Sequence, residues 1–238
     1  MFNSIKIFTL STNNYVEFND AFLKSFSNLF IPSMNKQFYI FTDYTDNPLY
    51  SNFNVKSFYI NHENWPMITL KRYHCMNLIS NEIKDDDLCI FADIDLEIIK
   101  TIEHLNINSF FGVEHPGNRL VNNNDSLEDN PHSLAFADKH NLPNNYKYIQ
   151  GCLWGGIGQN FVKMITTLKN NTEKDFINGI VAKWHDESHL NRFCISNINN
   201  FEILSPSYAY PENWNLPMEK IIIHKDKNMN KYPRFQGL

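Results

Sequence analysis

The chain has 238 residues, 42% of them hydrophobic and 14% aromatic, which is ample for a packed core and excludes a disordered polymer. Its net charge is −5 and the positive charges form no long run, so a nucleic-acid backbone is excluded as a main partner. The four cysteines (Cys75, Cys89, Cys152, Cys194) stand far apart without a C-x-x-C pair, which argues against a zinc cluster and for free thiols in a reducing compartment.

In chain order, "IKIFTL" (Ile5 to Leu10) is a short apolar run that predicts a strand, followed by the polar "STNN". Phe18, Phe22, Phe26 and Phe30 then recur four apart, the spacing of an amphipathic helix. "QFYIFTD" (Gln37 to Asp43) and "VKSFYI" (Val55 to Ile60) predict two further strands. "MITLKRYHCMNLIS" predicts a helix burying Ile68, Tyr73, Met76 and Ile79. "DDDLCIFAD" ends in a fourth strand, and "SFFGVEH" (Ser109 to His115) predicts a fifth. Strands alternating with helices give an α/β class with a single central, mostly parallel sheet flanked by helices.

From Pro116 to Tyr146 the chain is rich in Asn, Pro and Asp with weak periodicity, and too long for an ordinary connection. It reads as a functional loop or a mobile excursion. Beyond it come "YIQGCLWGGIG" as a strand and helices at Asn160 to Leu168, Asp175 to Trp184 and Ser188 to Ile195. The tail "IIIHKDKNMNKYPRFQGL" begins as a strand and turns basic. No repeat or linker divides the chain, so one domain is expected over residues 1–238. No segment approaches the roughly 20 apolar residues of a membrane span, and the start has no cationic region followed by a long apolar stretch.

Asp93 and Asp95 interrupt the apolar run "LCIFADIDLEIIK". Two apart on an extended backbone, their carboxylates point to one side, and like charges that close repel unless a cation or solvent relieves them. They follow a predicted parallel strand, where open α/β sheets bind ligands. Two readings stand on spacing alone: a polar loop, or an oxygen site for Mn²⁺ or Mg²⁺. The nearby "KDDD" (Lys84 to Asp87) reads as a solvated turn.

"WHDESHLNRF" (Trp184 to Phe193) is not a zinc-protease helix, because Glu187 stands midway between His185 and His189 rather than directly after the first histidine. Asp186 and Glu187 are either dipole partners of a helix start or part of a sugar-handling wall with Trp184. "QGCLWGG" (Gln150 to Gly156) is either a bulge or close backbone crossing, or a floor that admits a ligand. Lys225, Lys227, Lys231 and Arg234 are phosphate clamps or solvated charges.

Taken together, "FADIDLEI", "VEHPG", "YIQGCLWGGIGQNF", "VAKWHDESHLNRF" and "ILSPSY" resemble glycosyltransferase family 6, the retaining α1,3-galactosyl- and N-acetylgalactosaminyltransferases that include the histo-blood group A and B enzymes. The resemblance spans nearly the whole chain, and "WHDESHLN" is its most specific string. It implies a GT-A fold, with a donor-binding half at about 1–115 and an acceptor and catalytic half at about 116–238. It implies that Asp93 and Asp95 hold Mn²⁺, with Mg²⁺ an alternative, against the diphosphate of a UDP-sugar. Tyr15 would pack on uracil beside Ser11 and Thr12, and Arg72 would contact donor sugar or diphosphate, with Trp65 just upstream. Lys225, Lys231 and Arg234 complete the donor set.

The resemblance further makes Glu187 the carboxylate at the anomeric carbon. Trp184 and His115 shape the acceptor galactose site, with His185 and Asp186 in the same wall. Gln150, Gly151 and Cys152 sense the substituent at C2 of the donor. Small residues at Gly117 and Gly151, with Gln150 placed to bond an acetamido oxygen, favour UDP-GalNAc over UDP-Gal. The implied acceptor is an oligosaccharide ending in galactose, fucosylated as in H antigen. Three departures stand out: no anchor or stem precedes the catalytic region, which implies a cytoplasmic enzyme of bacterial or viral type without an integral membrane segment; "DID" is retained, which implies metal dependence; and "SYAYPENW" offers only Glu212 as an acidic acceptor contact. The competing readings are another D-x-D hexosyltransferase using UDP-Gal or UDP-Glc, and a silent carbohydrate-binding domain.

Overall fold

The structure, a computed structural model, describes residues 2–121 and 125–227. In chain order the elements are β1 (Ser4–Ser11), α1 (Asn19–Leu29), β2 (Lys36–Thr42), β3 (Val55–Tyr59), α2 (Met67–Leu70), α3 (Arg72–Asn77), β4 (Asp87–Ala92), β5 (Leu96–Ile98), β6 (Phe110–Glu114), α4 (Pro116–Val121), β7 (Ile149–Ile157), α5 (Gly158–Ile177), α6 (His185–Ser196), β8 (Phe201–Leu204), β9 (Tyr210–Pro211) and β10 (Ile222–His224). Seven strands form the central sheet in the order β3-β2-β1-β4-β7-β6-β8. The β1–β2, β2–β3, β1–β4 and β6–β8 pairs run parallel, and β7 runs antiparallel to both neighbours. With helices on its faces this is the GT-A type of α/β sheet that the sequence implies. A small second sheet, β5-β10-β9, is an addition to that expectation.

All six β4 residues are buried, because the strand is covered on both faces. Leu88, Ile90 and Ala92 enter one core layer with Phe22 and Phe26 of α1. Cys89 and Phe91 enter the other with Phe161, Met164 and Leu168 of α5. The four-residue phenylalanine spacing stacks Phe22 on Phe26 with ring centroids 4.3 Å apart. "KDDD" is only partly the solvated turn expected: Asp87 is 2% exposed and pairs with Lys6 at 3.5 Å.

Two helix expectations change. The 67–80 stretch folds as two short helices, α2 and α3, meeting at Lys71. No helix covers Asp175 to Trp184; α5 instead runs on to Ile177 and stops where Gly179 takes φ +72°. Five of the seven residues 178–184 are exposed and Ala182 alone is buried, so no apolar stripe holds them as a helix.

The long polar segment is fastened over much of its length. After α4, Leu127, Ala137 and Tyr148 form a small buried cluster. The buried Asp175 carboxylate accepts from the Ser133 hydroxyl at 2.6 Å and the Leu134 N–H at 2.9 Å. Glu128 accepts the Lys183 N–H.

Candidate active site

The central sheet brings the polar stretches to one edge. Thr12 and Tyr15 follow β1, Asp93 and Asp95 follow β4, and His115 follows β6. Since β7 is antiparallel, its beginning lies at the same edge, and residues 151–153 bulge there without partners on β6. The bulge is tied back by the Asp93 N–H donating to the Cys152 carbonyl at 2.8 Å. With the start of α6, these loops enclose a cleft of about 720 Å³ lined by Thr12, Tyr15, Trp65, Arg72, Asp93, Asp95, His115, Gln150, Gly151, Cys152 and Trp184 to Glu187.

Arg72 holds the floor together. It is 6% exposed and lies over the Phe91 ring, 4.5 Å from its centroid. Its Nη1 donates to the Gly151 carbonyl at 2.7 Å and lies 3.1 Å from Asp186 Oδ2, while Nη2 is 3.5 Å from Asp93 Oδ1. One guanidinium therefore links α3, the β7 bulge, α6 and the turn after β4. Burial pushes the Asp186 and Asp93 carboxyls upward, and Arg72 opposes that in both.

Glu187 lies in the first turn of α6, where the helix dipole favours its charge. Its Oε2 accepts the Gly151 N–H at 2.6 Å, and its Oε1 accepts the Tyr148 hydroxyl at 2.9 Å. Burial nevertheless pushes the carboxyl up to about 7, against these two donors. Behind it, the fully buried Asn191 takes the Ile149 N–H on Oδ1 at 2.9 Å. Its amide donates to the carbonyls of Ile149 at 2.8 Å and Glu187 at 2.9 Å, and Tyr146 donates to Oδ1 at 2.8 Å. Asn191 thus locks β7 to the turn of helix that carries Glu187.

Asp93 and Asp95 span a turn closed by the Leu96 N–H on the Asp93 carbonyl at 3.1 Å, rather than an extended pair as the spacing suggests. They still converge: one ligand atom each from Asp93, Asp95 and His224 lie within 4.8 Å of one another. Asp95 is 1% exposed, and its Oδ2 lies 3.3 Å from His224 Nε2 and against Lys227 Nζ. Neither contact has hydrogen-bond geometry, so both Asp95 oxygens and His224 Nε2 are buried without one. Burial works to raise the Asp95 carboxyl, but His224 and Lys227 together hold it well below the usual range. Two carboxylates and an imidazole, with unsatisfied buried atoms on Asp95 and His224, fit a divalent cation such as Mn²⁺.

Other expected residues sit differently. Ser11 is fully buried and donates to Asn19 Oδ1 at 2.7 Å, outside the cleft lining. Thr12 Oγ1 is 2.9 Å from His62 Nδ1, in the cleft. Gln150 turns its amide to the carbonyls of Glu114 and Ala209 at 3.4 and 3.3 Å, so the acetamido contact expected of it is not prepared. Lys225 pairs with Glu97 and Glu212, and Glu212 also accepts the Asp226 N–H, which leaves that acid engaged within the wall.

The histidines of "WHDESHLN" part company: the His185 ring meets Trp65 at 4.6 Å, whereas His189 is buried 3.6 Å from Asp175. Lys231 and Arg234 lie outside the described residues. In "QGCLWGG" both readings hold for different glycines. A Cβ on Gly155 would come within 2.2 Å of the Cys89 carbonyl, a constraint of the sheet, whereas Gly151 faces Asp186 and Glu187 at 3.4 Å. Tyr148, Asn191, His224 and Trp214 were not singled out by sequence; His224 precedes a lysine pair and Tyr148 opens the "YIQG" string, but neither carries a spacing signal of its own.

A family profile described as glycosyltransferase family 6 matches residues 3–232. The chain belongs to glycosyltransferase family 6. The O-antigen biosynthesis glycosyltransferase WbnI of Escherichia coli is 28% identical over 235 residues, covering 96% of this chain and 97% of that protein. The histo-blood group ABO system transferase 2 of Rattus norvegicus is 24% identical over 231 residues, 92% of this chain and 67% of that protein. The globoside alpha-1,3-N-acetylgalactosaminyltransferase 1 of Gallus gallus is 24% identical over 237 residues, 94% of this chain and 68% of that protein. As a family 6 member the chain is a hexosyltransferase, acting between a nucleotide-sugar donor and a glycan acceptor. Among the described residues no helix is long and apolar enough to cross a membrane.

Proposed function

We propose that this family 6 enzyme transfers N-acetylgalactosamine, or galactose, from its UDP conjugate to the 3-hydroxyl of a terminal galactose, with retention of the α configuration. The observation that carries the reading is the joining, in one cleft, of the Asp93–Asp95 pair at the end of β4 and the doubly hydrogen-bonded Glu187 at the start of α6. Residues of both halves, about 1–115 and 116–238, meet there as one catalytic unit.

A divalent cation held by Asp93 and Asp95, with His224 able to join them, would supply Lewis-acid neutralisation to the departing diphosphate. Tyr15 offers a ring for uracil, and Lys227 lies 5.3 Å from that ring's centroid. As the C1–O bond to UDP breaks, positive charge grows at the anomeric carbon. Ionised Glu187 stabilises that charge, while Gly151 and Tyr148 hold its oxygens in place. The acceptor oxygen forms the new bond at C1, its proton leaves with the UDP phosphate oxygens, and UDP departs. Gly151 puts no side chain between the cleft and Glu187, where a Cβ would already touch Asp186 and Glu187 at 3.4 Å, and this close approach to the backbone supports UDP-GalNAc as the preferred donor.

Metal dependence is tested by assaying UDP release with Mn²⁺ and then with excess EDTA. Loss of turnover on chelation, restored by Mn²⁺, is expected; undiminished turnover contradicts a metal role for Asp93 and Asp95. Presenting UDP-GalNAc and UDP-Gal in the same assay tests the donor, and a clear preference for UDP-Gal contradicts the assignment.

A further inference from the structure

We propose that Trp214 is a stacking platform for the acceptor glycan, an inference that rests on the hexosyl-transfer reading above. Of the four tryptophans, Trp154 is fully buried in the core, and the other three, Trp65, Trp184 and Trp214, all line the cleft. Trp184 and Trp214 are 47% and 43% exposed. A large apolar ring left this open on a protein surface marks a binding place when it faces a polar-rimmed cleft. A pyranose suits it: one face of the ring presents C–H groups and the edge presents hydroxyls, so the sugar covers the indole while its polar rim stays hydrated or bonded.

The position of Trp214 selects acceptor over donor. A Cβ on Gly117 would meet the Trp214 ring at 3.7 Å and the His115 ring at 3.1 Å, which places the indole at the end of β6. In the sheet, β6 lies two strands from β4, roughly 10 Å at ordinary strand spacing. That is on the order of one sugar ring beyond the carboxylates proposed to hold the diphosphate.

The backbone segment that carries the indole is fastened to its surroundings. The Trp214 backbone N–H donates to the Pro211 carbonyl at 3.1 Å, and the Glu212 backbone N–H to the His224 carbonyl at 3.0 Å. Lys220 donates to the Glu212 carbonyl at 2.9 Å, and Asn213 bonds Asp226. A platform whose backbone is fixed before binding loses less freedom when a sugar covers it.

The test compares wild type, Trp214→Ala and Trp214→Phe with UDP-GalNAc and a fucosylated lactose. Expected for Trp214→Ala is a roughly tenfold rise in acceptor KM, with donor KM and calorimetric UDP affinity within twofold of wild type. Saturation-transfer NMR should show the acceptor signal weakened in Trp214→Ala and largely restored in Trp214→Phe. An acceptor KM and NMR signal unchanged in Trp214→Ala overturn the platform alone. A parallel loss of UDP affinity assigns Trp214 to the donor side and also overturns it. If the wild type releases no UDP from either donor, the proposed transfer reaction fails and the platform falls with it.

Discussion

At the scale of single residues, Glu187 combines two demands that oppose each other. Transfer needs it ionised beside a developing cation, yet burial lifts it to about 7 from an ordinary 4.5. Turnover should therefore rise with pH through about 7, and a pH–rate profile flat from 5 to 8 would contradict this role. The same shift is a statement about stability. An acid raised in the fold is disfavoured there when charged, so the penalty is absent below about pH 4.5 and complete above about pH 7. Its ceiling is roughly 3 kcal/mol by the usual conversion, and less because the carboxylate is partly open to the cleft. Glu187→Gln should cut transfer at least about 100-fold while leaving UDP binding intact. Relative to wild type it should also gain melting temperature between pH 5 and pH 8. Calorimetric UDP titration and melting curves at both pH values check this.

Gly151 makes a second residue-level prediction. Its added Cβ would stand 3.4 Å from both Glu187 and Asp186, in the space proposed for the donor C2 substituent. Gly151→Ala should lower UDP-GalNAc turnover more than UDP-Gal turnover, by roughly tenfold in the ratio. An unchanged donor ratio would place C2 recognition elsewhere.

Among the elements, β7 and α6 have to meet in register for Glu187 to find its donors, and Asn191 performs that join. Asn191→Ala would leave the buried Ile149 N–H and C=O without their partner, at about 2–4 kcal/mol in chemical denaturation. Activity should fall further than stability alone explains, through kcat rather than donor KM, because Tyr148 and Gly151 flank Ile149. Donor KM rising in step with a constant kcat would contradict the positioning role. This arrangement was only half legible in sequence. Glu187 is legible through "WHDESHLN", whereas Asn191 in the same string has no signature until the helix docks on β7. The helix expected over 175–184 is absent for a related reason: local periodicity does not reveal that Asp175 turns inward to bind Ser133 and Leu134 from a segment some 40 residues earlier in the chain.

Over the whole molecule, the alternation of strands and helices predicts the layered sheet because the central strands must bury both faces, a requirement written into apolar runs such as that of β4. The antiparallel insertion of β7 and the small β5-β10-β9 sheet were not legible, since both depend on which distant strands find each other. These two features nonetheless shape the site. Inserting β7 brings Gly151 to the edge where β4 delivers Asp93, and β10 brings His224 to Asp95. The cleft thus unites groups from all three thirds of the chain, which is why spacing alone left the D-x-D pair ambiguous between a polar loop and a cation site.

The most direct test of the central claim is NMR of the product formed from an α-linked UDP-GalNAc donor and a galactose-terminated acceptor, with UDP release followed in parallel. The account predicts one α-linked sugar on the galactose 3-hydroxyl for each UDP released. A β-linked product, or no consumption of either UDP-GalNAc or UDP-Gal, would contradict it.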